Sequence, residues 1–227
     1  MSSKEIIAEK RDVSDFTQVI IKEHHEGELI IEQGRRESLT IEAPRDIMSR
    51  ISTKVEDGKL FITTSGSFVQ KVQDFFDTSL SRGKIKYILS VKRLFNLEIT
   101  GIMYATIGSL KTRNLAIKFN GAGRVNFDSI TTDILDVRLT NVGSINLVGN
   151  VNEQLVTITG SGSYQAPDLL SKKAKIVMKG VGSATVWVEE TLDVEVVGVG
   201  TVSYYGSPQV RSKIAPVGNL KHLGKHD

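Results

Sequence analysis

The chain contains no cysteine. That absence removes disulfides, thiolate nucleophiles and cysteine-based zinc sites together. It leaves the compartment open, because cysteine-free proteins occur on both sides of a membrane. Charge of one sign is also lacking: 29 basic and 26 acidic residues give a formal net charge of +3. The basic residues are scattered, whereas a surface that tracks phosphates needs clustered positive charge, so no nucleic-acid partner is expected. No apolar run approaches the roughly 18 residues of a membrane helix, so no membrane span is expected. The first ten residues, Met1 to Lys10, show no apolar core of an export signal. If that terminus is native, the expected location is the cytoplasm.

What is present is a repeat. Gly123, Gly143, Gly162, Gly182, Gly200 and Gly218 follow one another at intervals of 20, 19, 20, 18 and 18 residues. A second glycine stands two residues earlier at Gly121, Gly160, Gly180 and Gly198, with Asn141 and Pro216 in the other two places. Both are turn formers. Gly101 marks an earlier, degenerate copy. Apolar residues alternate with polar ones before each corner (Ile117/Phe119, Val137/Leu139, Val156/Ile158, Ile176/Met178, Val194/Val196) and again after it (Val125/Phe127, Ile145/Leu147, Ala184/Val186). Alternation with period two is a strand with one buried face. A single coil of 18 to 20 residues cannot bury that face alone and must stack on its neighbours. The pattern predicts an all-β fold, a parallel β-helix or β-solenoid with G-x-G corners. A phosphate-binding glycine loop would need a helix after the glycines, and a strand pattern follows instead.

Residues 12–64 also read as strands, among them Gln18–Ile21, Leu29–Ile31, Leu39–Ile41 and Leu60–Ile62, with turn signals at Gly27, Gly34, Pro44 and Asp57-Gly58. Residues 65–84 break the pattern. There Phe68, Val72, Phe75 and Phe76 are spaced for a short amphipathic helix or a loop excursion, and they form a candidate partner contact. The expected organisation is one solenoid domain over residues 12–220, with tails at 1–11 and 221–227.

The corners Gly121-Ala122-Gly123-Arg124-Val125-Asn126, Asn141-Val142-Gly143-Ser144-Ile145-Asn146, Gly160-Ser161-Gly162, Gly180-Val181-Gly182 and Gly198-Val199-Gly200-Thr201-Val202-Ser203, with the closing Tyr204-Tyr205-Gly206-Ser207-Pro208 and the upstream Val55–Ile62, are similar to the bacterial putative auto-transporter adhesin, head GIN domain family. The resemblance spans roughly residues 12–220. It implies a β-helix-like solenoid in a cell-envelope or surface protein, with adhesion or recognition suggested by name. It supplies no catalytic residue. The chain departs from the family's pattern in its missing export signal and in residues 65–84.

Candidate chemistry is sparse. Asp128, Asp133, Asp136, Asp168, Glu189, Glu190 and Glu195 fall at different phases of the repeat, so no carboxylate dyad is indicated. His24 and His25 would face opposite sides of a strand. His222 and His226 fall in the expected C-terminal tail. Ser161, Ser163 and Ser183 have no histidine or acid recurring beside them. No catalytic residue, cofactor or metal is expected. The remaining candidate is a recognition surface: Asn126, Asn146, Gln165, Thr185 and Ser203 at one phase of successive coils, with Trp187 and Tyr205 two positions further on. Aromatic rings beside amides and hydroxyls suit glycan or protein contacts.

Three functions fit this pattern. The first is a non-enzymatic envelope or surface protein of the adhesin type. The second is a carbohydrate-active lyase or hydrolase on a β-helix scaffold. The third is an oligomerising scaffold, since open solenoid ends are sheet edges.

Overall fold

A computed structural model describes residues 5–65 and 84–226. The elements in chain order are β1 (Ile6–Arg11), β2 (Gln18–Gln33), β3 (Ser38–Pro44), α1 (Arg45–Met48), β4 (Ile51–Glu56), β5 (Lys59–Thr64), β6 (Ile85–Val91), β7 (Asn96–Lys111), β8 (Asn114–Ile158), β9 (Ser161–Met178), β10 (Val181–Val196), β11 (Val199–Tyr205), β12 (Gln209–Ile214) and β13 (Gly218–Gly224). From β2 and β7 onward they wind into a parallel β-solenoid of about six turns, the fold class that the repeat predicts.

The alternation does what its period requires. Val156 and Ile158 stand beside Ile176 and Met178, and these beside Val194 and Val196. All are buried, and they continue one core running the length of the stack. Each fully buried aliphatic side chain contributes roughly 1.5–3 kcal/mol relative to exposure.

The corner glycines answer chiefly to close backbone approach. A Cβ on Gly180 would lie 2.0 Å from the carbonyl oxygen of Gly160, and one on Gly121 would lie 1.8 Å from that of Gly101. Successive corners therefore stack backbone on backbone with no room for a side chain.

The N-terminal part departs from chain order. β2 stacks directly on β7, and its other side pairs in parallel with β5 along Gln18–Lys22 and with β6 along Gly27–Gln33. β5 and β6 are thus the two arms of one further coil. In that coil the described residues end at Ser65 after β5 and resume at Lys84 before β6. Antiparallel strands then cover the coil: β4 on β5, β3 on β6 and β1 on β3.

Two segments expected as tails are strands. Residues 6–11 form β1, because Ile6–Arg11 find a partner edge in β3. Residues 218–224 form β13, which continues the stack on β11. Phe68, Val72, Phe75 and Phe76 lie outside the described residues.

Candidate functional site

The uncharged polar residues form one column across the stack. Thr106 is in register with Asn126, Asn146 with Gln165, Gln165 with Thr185, and Thr185 with Ser203. The Asn146 amide donates along the solenoid axis to Asn126 Oδ1 at 2.6 Å, and Gln165 Nε2 donates within its own strand to Ser163 Oγ at 2.7 Å. Ser163 and Ser183 are hydrogen-bonded at 3.1 Å. The result is a flat, half-buried polar strip with its amides held in fixed directions.

Trp187 and Tyr205 stand in register on adjacent coils beside that column. Their exposed faces are not bare, which differs from the sequence expectation. The ring of His226 stacks on Trp187 with centroids 4.0 Å apart and planes 6° from parallel. Tyr205 meets the same imidazole edge-on at 5.3 Å. Asp168 Oδ1 lies 3.2 Å from His226 Nε2. His222 stacks on Tyr204 at 4.7 Å, and its Nε2 is 2.8 Å from the Gly206 carbonyl. The two C-terminal histidines are therefore packed against the solenoid rather than held in a loose tail. Aromatic faces one coil below (Tyr204) and two coils below (Trp187) supply the flat surface that the imidazole rings cover.

Trp187 is also positioned from within. Buried Tyr164 donates to Gln154 Oε1 at 2.8 Å, Gln154 Nε2 donates to Ser171 Oγ at 2.8 Å, and Ser171 donates to the Trp187 carbonyl at 2.7 Å. Burial holds the Tyr164 hydroxyl protonated far above the ordinary tyrosine range. This network lies at a break in register between Val186 and Trp187. Gln154 and Ser171 occupy inward positions, and a polar residue at an apolar phase of the repeat is the signal in the sequence that marks them.

A groove of about 600 Å³ runs across five coils beside these residues, lined among others by Lys111, Arg113, Asp133, Asn152, Lys172 and Glu189. Asn152 Nδ2 donates to Asp133 Oδ1 at 2.9 Å. Asp133 and Glu189 sit three coils apart, about 14 Å at the strand spacing of a sheet. Paired carboxylates of glycosidases stand within about 9.5 Å of each other. Asp128 and Glu190 do not line the groove. Among the described residues no three His, Cys, Asp or Glu side chains group as a metal site.

A further buried carboxylate escapes the repeat pattern altogether. Glu23, 2% exposed, sits at the corner of the β2 coil. Its Oε1 accepts the backbone N–H groups of His24 and His25 at 2.8 and 3.0 Å. Its Oε2 accepts Thr64 Oγ1 at 2.8 Å and the Tyr87 hydroxyl. Burial, then the neighbouring Glu23, raises the Tyr87 hydroxyl well above its usual range. This hub ties β5 and β6 to β2.

The stacked G-x-G corners agree with the resemblance read from the sequence. The chain belongs to the putative auto-transporter adhesin, head GIN domain family. The family pattern matches residues 15–208. Among solved structures, the chain is similar to a putative adhesin from Bacteroides fragilis NCTC 9343, at 25% identity and a TM-score of 0.80 over 97% of this chain and 98% of that one. It is similar to a putative lipid binding protein from Parabacteroides distasonis ATCC 8503, at 20% identity and a TM-score of 0.73 over 96% of each chain. A putative adhesin from Parabacteroides merdae ATCC 43184 shares the fold at 16% identity and a TM-score of 0.64, with 96% of each chain covered. No curated protein matches the chain. A head GIN family member with adhesin-type relatives is a surface or envelope type of protein. Among the described residues no helix is long and apolar enough to cross a membrane.

Proposed function

We propose that this head GIN protein is a non-enzymatic recognition module of the cell surface or envelope, and that it contacts glycan or protein through the polar column. The observation that carries this reading is the column from Asn126 through Asn146, Gln165 and Thr185 to Ser203, free of charge and held in register over five coils. Amides fixed by neighbouring side chains keep outward donors and acceptors at the strand spacing, which preorganises them for a linear, repeating ligand. The separation of Asp133 from Glu189 supports recognition rather than glycoside hydrolysis.

A glycan array probed with the intact protein tests the reading. Binding by the parent chain, lost in Asn146→Asp/Gln165→Glu while the circular dichroism spectrum stays unchanged, is the expected outcome. An unchanged binding profile in that variant would remove the column as the contact.

A second contact is favoured by the crest of the corners. The central G-x-G residues Ile102, Val142, Val181, Val199 and Val217 are exposed and apolar along the stack, and one structural relative is named as a putative lipid binding protein. Vesicles included in the same assay separate the two contacts. Binding to vesicles that survives the amide substitutions and is lost in Val142→Ser/Val181→Ser would move the contact to the crest.

A further inference from the structure

We propose that the last coil, β12 with β13, is a docking edge for an extended acidic strand supplied by another polypeptide. The edge lies one coil beyond Ser203, the last residue of the polar column, and the proposal stands or falls independently of the function argued above.

Three observations point there. First, β12 pairs only with β10, and β13 only with β11 among the described residues. Their outer backbone N–H and C=O groups form a strand template. Second, three of the inward residues of this coil, Val210, Ile214 and Leu220, pack against the core yet remain half-buried, while Ser212 and His222 take the other inward positions, as in a stack with its next layer missing. Third, charge is distributed unevenly. Between Val196 and His226 stand four basic residues, Arg211, Lys213, Lys221 and Lys225, and no acidic one, in a chain of net charge +3.

The outward columns show what the next layer would carry. Lys175 is followed in register by Asp193 and then Arg211, and Glu195 is followed by Lys213. The first column alternates in sign over three coils, the second runs from Val177 through Glu195 to Lys213, and both end on a cation that follows an acid, so an acidic residue continues each column. The uncharged column likewise ends on Lys221, opposite Ser203. Opposite charges on directly facing strands stabilise a pair, and like charges oppose it. A second copy of this edge would therefore set Arg211 and Lys213 against cations, which disfavours self-pairing. The occupant that satisfies all three observations alternates apolar residues, facing Val210, Ile214 and Leu220, with acidic ones facing the basic columns. This is strand addition, with main-chain bonds for affinity and side-chain phase for selection.

The test uses the full chain, isotope-labelled, and a blocked eight-residue peptide alternating valine and glutamate, with the matched valine–lysine peptide as control. The expected result is chemical-shift change and slowed amide exchange confined to β12 and β13 with the acidic peptide alone. Arg211→Glu/Lys213→Glu should weaken that peptide about tenfold and admit the basic one. The milder Arg211→Ala/Lys213→Ala should weaken the first without admitting the second. No binding at millimolar peptide, equal binding of both peptides, or shifts elsewhere in the molecule would overturn the proposal. So would binding of polygalacturonate at this edge with no binding of the peptide, which would make the coil an unspecific anion surface.

Discussion

The two ends of the solenoid meet the same problem with different means. At the N-terminal end the parallel stack stops against antiparallel strands. β3, β4 and β1 cover the coil of β5 and β6, and the short helix α1 adds Ile47 and Met48, which are fully enclosed with Leu39, Ile41, Leu60 and Ile62. The Glu23 carboxylate then ties β2 to the covered coil by accepting from Thr64 of β5 and Tyr87 of β6. At the C-terminal end the last apolar layer stays half-covered, and cations and two stacked histidines finish it. Covering an end with a reversed layer buries apolar area and gives stability. Leaving it basic forfeits that area and keeps the strand edge selective.

The largest expected effect tests the closed end. Glu23→Ala would leave the Tyr87 and Thr64 hydroxyls and two backbone N–H groups unpaired in the interior, at a cost of about 3 kcal/mol or more. Arg211→Ala at the open end should change stability by less than about 0.5 kcal/mol. Urea unfolding of both variants measures the difference, and equal losses would erase the contrast between the ends.

Alkaline titration gives the next effect. Tyr87 in the closed end and Tyr164 in the stack keep their protons in the folded state beyond their ordinary value of 10.0. Above about pH 10 the unfolded chain sheds protons that the folded chain retains, so stability falls as pH rises, by up to ~1.4 kcal/mol per pH unit for each such tyrosine. Ultraviolet difference spectra should show these two of the five tyrosines ionising only as the fold is lost. Ionisation of either hydroxyl in the still-folded protein near pH 10 would contradict its burial.

The smallest effect sharpens the open end. His226→Ala removes the ring stacked on Trp187, which should cost about 0.5–1.5 kcal/mol. The single tryptophan reports it directly through a change in emission. Unchanged emission would mean that the imidazole does not cover the indole in solution.

Much of the coil stack was legible in the sequence, because one physical demand repeats in it. Most corners let the backbone pass without a Cβ, and every strand must turn alternate residues inward, so Gly180 and the Ile176/Met178 pair announce their places locally. The polar column was legible for the same reason, as Asn126 and Asn146 occupy one phase. The Glu23 hub was not, because its partners Thr64 and Tyr87 are far away along the chain and belong to no repeat. Neither was the covering of Trp187 by His226. That contact joins coils through a residue outside the periodic pattern, and nothing in its neighbours' spacing marks it.

By itself, then, the sequence determined the unit: the length of a coil, the inward face and the glycine at the corner, all consequences of local backbone sterics and period-two burial. Only the tertiary structure decided the order of the units and the treatment of the ends. β2 stacks on β7 across the intervening β3 to β6, and the coil of β5 and β6 lies on the far side of β2. Parallel strands of similar pattern accept one another in several orders, so the choice falls to features that no single coil contains: the Glu23 carboxylate at one end, and at the other the positively charged strands that pair on one side only among the described residues.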